Sequence, residues 1–294
     1  MVPACKFMRT RDGTQLAASA FLPSTGMRHP TVLLRTPYGR NQPLLLRLAG
    51  EFCRRGIGML VQDARGRFGS SGKWSWTSEL DDTYDCIHWL DRQEWFNGSL
   101  YFLGLSISTL HSLKFLGIGS FPDRTRFIGL INLMGVADLY SLFYQSGALL
   151  LHWALPWCMQ MGCNRNAATA WKKLDYRQLH IDPDRLILPP EIDGSLWQEV
   201  LQNPRRSQYW AGSSALTELP NISVPSLHIS GWFDFVSEQV LKTYANIGGE
   251  KTLIIGPWDH SSIPRLLFKS SKESDQLVDS ILNWIDRHRG GKPT

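Results

Sequence analysis

Ser99-Leu100-Tyr101-Phe102-Leu103-Gly104-Leu105-Ser106-Ile107-Ser108-Thr109-Leu110 decides how the chain is read. An apolar run of strand length ends at Gly104, and a helix-compatible pattern (Leu110, Leu113, Lys114, Phe115) follows directly. Ser106 stands at the joint. A buried strand that turns sharply into a helix leaves such a serine exposed at the carboxyl end of a sheet, the form of a nucleophile elbow. The turn also aims the first N–H groups of the helix at a developing oxyanion. Gly104 lacks the side chain that would clash in so tight a bend. The usual spacing is G-x-S-x-G, and here Ser108 takes the place of the last glycine. On local grounds alone, the same residues equally describe a buried strand entering a helix with an N-capping serine.

The surrounding pattern alternates. Lys6 to Pro23 reads as a hairpin about Arg11-Asp12-Gly13. Thr31 to Arg35 is a β-branched and apolar strand emptying into the breaker-rich Thr36-Pro37-Tyr38-Gly39-Arg40. A helix over Leu44 to Arg55, stopped by Gly56, leads to the strand Gly58 to Gln62 and then to Asp63-Ala64-Arg65-Gly66-Arg67. Ser78 to Asp81 has the form of a capping box, opening a helix that runs to about Arg92. After the elbow come the strand Phe127 to Ile131 and, from about residue 136 to 219, a tryptophan-rich stretch (Trp153, Trp157, Trp171, Trp197, Trp210) without alternation. Alternation resumes with Pro225 to Ser230, a helix through Val240 and Tyr244, the strand Lys251 to Ile255, and an amphipathic helix carrying Leu277, Ile281, Trp284 and Ile285. Strands alternating with helices predict an α/β fold, a mostly parallel, doubly wound sheet covered on both faces. The division expected is a core of residues 1–135 and 220–294 with a helical cap inserted at 136–219.

Composition narrows the classes. A chain of 294 residues, 43% hydrophobic and 11% aromatic, has a sizeable core to bury. No run approaches the ~18 uncharged apolar residues of a membrane span, and the first residues show no basic region followed by an apolar stretch, so no signal peptide is expected. Five cysteines, an odd number without C-x-x-C, fit reduced thiols in a cytoplasm, with neither a disulfide framework nor a metal site. The net charge of +5 is dispersed, which argues against nucleic acid as a partner and leaves room for acidic substrates or an acidic carrier protein. A homo-oligomer is also compatible with the sequence.

Three side chains stand just beyond the carboxyl ends of three expected parallel strands: Ser106, Asp234 and His260. In doubly wound sheets that edge binds ligands, and the order Ser, Asp, His is the α/β-hydrolase order. A serine hydroxyl needs an imidazole to take its proton, and the imidazole needs a carboxylate to fix its tautomer and stabilise its cation. Asp259 is the rival acid, disfavoured because adjacent side chains of an extended segment point apart. Asp234 could instead be the N-cap of the next helix, a common place for aspartate, but the chain order favours the catalytic role. Tyr38 is either an oxyanion donor or a packing residue of its turn. Arg65 and Arg67 beside Asp63 are read as a structural ion-pair cluster, since the glycine spacing of a phosphate loop is absent.

These segments together resemble the cocaine esterase and X-prolyl dipeptidyl aminopeptidase family, which includes α-amino-acid ester hydrolases and glutaryl acylases. The likeness rests on Met8 to Leu16, Arg35-Thr36-Pro37-Tyr38, Gln62 to Arg67 with Gly69 to Gly72, Trp95-Phe96-Asn97-Gly98, Phe143 to Ala148, Gly231-Trp232-Phe233-Asp234 and Gly256 to His260. It implies an α/β-hydrolase fold with a helical cap, a Ser106–Asp234–His260 triad, and an oxyanion hole of the Tyr38 hydroxyl and the Ile107 N–H. No cofactor is implied. In the family the elbow reads Gly-x-Ser-Tyr-x-Gly, whereas Ile107 and Thr109 stand here for the tyrosine and the last glycine. Thr109 is expected to crowd the elbow helix against a neighbouring strand and relax the turn. Family members also continue past Trp284-Ile285-Asp286-Arg287 into a jelly-roll domain, where this sequence ends at Thr294. That difference is expected to give a more open site, a covering partner, or an altered role.

The reading is a serine hydrolase cleaving an ester or amide of a compact, apolar or aromatic small molecule, with Trp153, Trp157, Trp232 and Phe233 contacting substrate. Two alternatives stand beside it: an acyltransferase or cyclase using the same triad with an acceptor other than water, and a non-catalytic binding protein that keeps the fold.

Overall fold

A computed structural model of the chain describes residues 3–76, 78–119, 125–163, 188–269 and 271–289. Two compact units emerge, one of Met1–Ala137 with Ser214–Thr294 and one of Asp138–Ser213. The second unit is shorter than the 136–219 read from composition. Residues 214–219 run with the first unit because Ala215 N–H donates to Ala137 O at 2.8 Å and Lys114 Nζ donates to Ser214 O at 2.8 Å.

In the first unit the strands are β1 (Ala4–Arg9), β2 (Gln15–Phe21), β3 (His29–Thr36), β4 (Gly58–Asp63), β5 (Phe96–Leu105) and β6 (Arg126–Leu133). Two-residue strands β7 (Tyr144–Gln145) and β8 (Ala148–Leu149) pair in the second unit, and β9 (Ser226–Gly231) and β10 (Lys251–Gly256) complete the first. The large sheet has eight strands in the order β1-β2-β4-β3-β5-β6-β9-β10. Only the β1–β2 and β2–β4 pairs are antiparallel. Strands β3, β4 and β9 are buried along their whole length, which explains their continuous apolar runs: a parallel sheet covered on both faces has no polar side to show.

The covering helices are α1 (Pro43–Arg54), α2 (Glu79–Leu90) and α3 (Ser108–Ile118) before the second unit. That unit carries α4 (Leu139–Phe143), α5 (Leu151–Gly162), α6 (Ser195–Gln202) and α7 (Gln208–Ala211). After it come α8 (Ser237–Asn246), α9 (Ser262–Phe268) and α10 (Lys272–His288). Helices α1, α9 and α10 pack together, and α2 packs on α3. The apolar face of α10 is seated by Trp284, whose ring lies where a Cβ on Gly129 would come within 2.5 Å, so that β6 position has room only for glycine. Burying one such large side chain contributes roughly 1.5–3 kcal/mol.

The start of α2 departs from the expected capping box. Ser78 is in the helical region (φ −77°, ψ −17°) and its hydroxyl donates to Ser75 O at 2.9 Å. Glu79 turns inward instead, 2.9 Å from the Arg35 guanidinium. Arg35 also donates to Gln62 Oε1 at 2.7 Å and to Thr83 Oγ1 at 2.8 Å, and reaches Asp82 at 3.4 Å. Arg65 holds both oxygens of Asp82 and reaches out to Asp12 at 2.6 Å. The expected Arg65–Asp63 pairing is therefore corrected: Asp63, wholly buried, takes Arg40. Its strand end points Asp63 toward the turn after β3, while Arg65, beyond the strand, swings to α2. Arg35, Glu79, Asp82 and Asp63 are desolvated, and burial pushes the Glu79 carboxyl up to about 7 against the pull of Arg35.

In the second unit Asp138 caps α4, accepting from Ser141 N–H at 3.0 Å, and pairs with Arg206 through both oxygens at 3.0 and 2.6 Å. Trp210 is buried against Tyr140, Phe143 and Tyr144. Trp171, singled out in the sequence, lies outside the described residues. Among the described residues no helix is long and apolar enough to cross a membrane, and no group of three or more His, Cys, Asp or Glu side chains is placed to hold a metal.

Candidate active site

Ser106 occupies the two-residue turn between β5 and α3 with a φ of 55°, the left-handed region that costs a non-glycine residue about 1–2 kcal/mol. The turn is held from below. Ser106 N–H donates to Leu133 O at 3.0 Å, and Ser106 O accepts from Val136 N–H at 3.1 Å. The crowding expected of Thr109 is absorbed by two glycines. A Cβ on Gly104 would sit 2.6 Å from Thr109 Cα, and one on Gly135 would sit 2.6 Å from Thr109 Cβ. Thr109 is thus fully buried between Gly104 and Gly135, with Ser106 held at its positive φ beside it.

Asp234 follows β9 and His260 follows β10. Ser106 Oγ lies 3.1 Å from His260 Nε2, and His260 Nδ1 lies 2.9 Å from Asp234 Oδ1. The Asp234 carboxylate is completely buried, whereas the imidazole is 24% exposed. Oδ1 also accepts Val236 N–H at 3.0 Å, a turn bond two residues on, whereas the N-cap position of the next helix is Val236 and carries no side-chain cap. The other Asp234 oxygen, Oδ2, is buried with no hydrogen-bond partner. An acid in this setting must accept from Nδ1–H, which leaves the Nε2 lone pair facing the serine. Asp259 does not compete. It accepts from the Ser261 and Ser262 N–H groups, each at 2.8 Å, and these bonds together with the two hydroxyls hold its carboxyl down at about 2.

The acid and base segments are bonded to each other directly. Trp232 N–H donates to Gly256 O at 3.0 Å and Phe233 N–H to Trp258 O at 3.1 Å. A Cβ on Gly231 would lie 2.0 Å from the Trp258 carbonyl oxygen, so only glycine lets the two chains approach this closely. Trp258 is fixed in turn by its indole N–H, which donates to Glu273 at 2.7 Å.

Ile107 heads α3 with its side chain buried, and the first N–H groups of a helix have no intrahelical partner. Tyr38 is half-buried in the turn after β3. That turn is pinned at several points: Tyr38 N–H donates to Thr36 Oγ1 at 3.1 Å, Gln42 donates to Tyr38 O at 2.7 Å, Arg67 Nε donates to Pro37 O at 3.1 Å, and Arg40 N–H donates to Asp63 at 2.6 Å. The role of Asp63 and Arg67 as supports of the tyrosine turn was not readable from their spacing, because their partners lie more than twenty residues away.

The residues assigned to substrate separate into two groups. Trp232 and Phe233 sit on the Asp234 loop but are 67% and 75% exposed. The aromatic nearest the imidazole is Phe235, its ring 4.5 Å from that of His260. Its signal was available, an aromatic directly after the acid in the run Trp232 to Phe235. Trp153 and Trp157 belong to α5 of the second unit, half-buried, with Trp157 packed on Phe143 at 5.5 Å.

A buried polar chain underlies the elbow. Thr109 Oγ1 donates to Asn132 Oδ1 at 3.4 Å, Asn132 Nδ2 donates to His228 Nδ1 at 3.0 Å, and His228 Nε2 donates to Ser226 Oγ at 2.9 Å. This sequence of donors requires a neutral imidazole, and burial, with Lys251 nearby, pushes His228 down to about 4. Between pH 6.5 and 4 the unfolded chain therefore binds the proton that the folded one refuses, so this histidine's contribution is complete above 6.5 and is lost on acidification. The loss amounts to roughly 3 kcal/mol. His228→Gln is expected to flatten the fall in unfolding free energy over that window, measured by urea titration at stepped pH. The opposite slope from Glu79 is common to both proteins and cancels.

An eight-stranded, mostly parallel sheet bearing a serine on the β5–α3 turn, an acid after β9 and a histidine after β10 is that of an α/β-hydrolase. A family model described as X-Pro dipeptidyl-peptidase (S15 family) matches residues 12–262, and the chain belongs to that family. It is 26% identical over 288 residues to the cocaine esterase of Rhodococcus sp. (strain MB1 Bresler), which covers 86% of this chain and 48% of the relative. Among solved structures it is similar to an aminopeptidase from a marine sediment Thaumarchaeota archaeon, with a TM-score of 0.75, 17% identity, and coverage of 100% of this chain and 55% of the other. A CocE/NonD family hydrolase from Staphylococcus aureus gives a TM-score of 0.72 at 17% identity, covering 97% of this chain and 50% of the other. The chain spans about half the length of these three relatives.

Proposed function

We propose that the chain is a serine hydrolase that cleaves an ester or amide through an acyl-enzyme on Ser106. The observation that carries this is the single line of bonds from Ser106 Oγ through His260 to the buried Asp234. In this reading Ser106 attacks the carbonyl carbon as His260 Nε2 takes its proton, and Asp234 stabilises the imidazolium across Nδ1. The Ile107 N–H and the Tyr38 hydroxyl stabilise the oxyanion, each donor contributing on the order of 3 kcal/mol. His260 then returns its proton to the leaving group, and water resolves the ester by the same steps in reverse. Phe235, beside the imidazole, and the exposed Trp232 and Phe233 support an apolar or aromatic group on the substrate.

The test is intact-protein mass after exposure to a panel of activated esters and thioesters, followed by peptide mapping. A single acyl adduct on Ser106 that decays to free acid is expected. No adduct with any ester would reject the reading; an adduct discharged only by added amines or alcohols would replace hydrolysis by acyl transfer.

A further inference from the structure

At the opposite end of the sheet from Ser106, where β3, β5 and β6 begin, a cavity of about 320 Å³ opens to solvent. Its wall includes Arg28, Arg126, Arg289, Ser99 and Tyr101, and among the described residues that line it there is no aspartate or glutamate. Three arginines thus line one concavity. Each is tethered by an uncharged oxygen: Arg28 Nε donates to Glu94 O at 3.1 Å, and Arg126 Nη2 to Ser99 Oγ at 3.4 Å. Arg289 donates to Arg55 O at 2.6 Å and to Gly56 O at 2.9 Å. Among the described residues none of the three pairs with a carboxylate. The nearest acid on α10, Asp286, is engaged by Arg55. Carbonyl tethers orient a guanidinium without cancelling its charge, and leave N–H groups free to take oxygens in pairs.

We propose that this cavity is a binding site for a small phosphate monoester, its dianionic oxygens held by Arg28, Arg126 and Arg289. Phosphate suits the geometry because a tetrahedral group offers oxygens to several forks at once, whereas one carboxylate occupies a single fork. The volume lies at the lower end of small-molecule sites, enough for a phosphate with a short carbon chain or one sugar ring. The site is independent of the chemistry at Ser106, which lies seven residues along β5, roughly 23 Å away.

The experiment is isothermal titration of the full chain with inorganic phosphate and with glycerol 3-phosphate, at ionic strength held constant with chloride. One saturable site is expected, with glycerol 3-phosphate displacing inorganic phosphate. Arg126→Gln and Arg289→Gln should each weaken binding at least about tenfold, and leave ester turnover unchanged. Arg126→Lys separates charge from fork: it should recover part of the loss without restoring full affinity. Absence of saturable heat with either anion, or heats equal in wild type and both glutamine variants, would overturn the proposal. So would phosphate binding that glycerol 3-phosphate does not displace.

Discussion

Ser106→Ala is expected to lower kcat on an activated ester by about 10⁴–10⁶-fold with little change in unfolding free energy. The alanine keeps the backbone contacts to Leu133 and Val136, which involve main-chain atoms only, so the turn survives while the attacking oxygen is removed. Asp234→Asn should cost about 10⁴-fold, since an amide in place of the carboxylate can present a donor to Nδ1 and reverse the imidazole tautomer. Because the three side chains act as one unit, His260→Ala added to Ser106→Ala should cost nothing further. A fluorophosphonate should label the parent and not the alanine variant. Retention of more than a few per cent of turnover by Ser106→Ala would remove the serine from the chemistry.

Asp82→Ala is expected to destabilise the fold by about 3–5 kcal/mol, read as a shift in the urea midpoint at unchanged m-value. Asp82 is fully buried and is gripped by Arg65 and approached by Arg35. Its removal leaves Arg65 with the largely exposed Asp12, and Arg35 with Glu79 as the interior acid still paired to it. Burial already pushes Glu79 toward its neutral form, so it compensates poorly. The contrast is Asp81, one residue earlier and 78% exposed, whose pair with Arg11 is screened by water. Asp81→Ala should change stability by less than about 1 kcal/mol. Equal effects at the two positions would show that the interior cluster is not what secures α2 to the sheet.

Strand identity was legible wherever both faces of the sheet are covered, because burial on both sides writes an uninterrupted apolar run, as in Val32-Leu33-Leu34 and Met59-Leu60-Val61. The rims were legible too: glycine and proline punctuate the strand ends, which placed Ser106, Asp234 and His260 at one edge before any geometry was known. What depended on partners distant in the chain was not legible. Ser78 and Glu79 match a local capping signature, yet Arg35 on β3 draws Glu79 inward and the local signature yields to it. Arg65 stands two residues from Asp63, but the strand geometry sends them to different partners. Thr109 looked like an obstruction because the compensating glycine, Gly135, belongs to another strand end. Among the aromatics of the Asp234 loop, sequence order could not say which would meet the imidazole, and Phe235 does.

The amide-to-carbonyl links between the Asp234 and His260 loops, with Trp258 wedged against Gly231, make acid and base a preassembled cassette. The Ser106 turn is mounted separately, on the far side of β6. Thermal breathing across β6 would therefore modulate the proton-transfer gap while sparing the imidazole's tautomer. Damage should be correspondingly graded: a lesion near the elbow disables one reactant, whereas a lesion at Gly231 dismantles the whole relay.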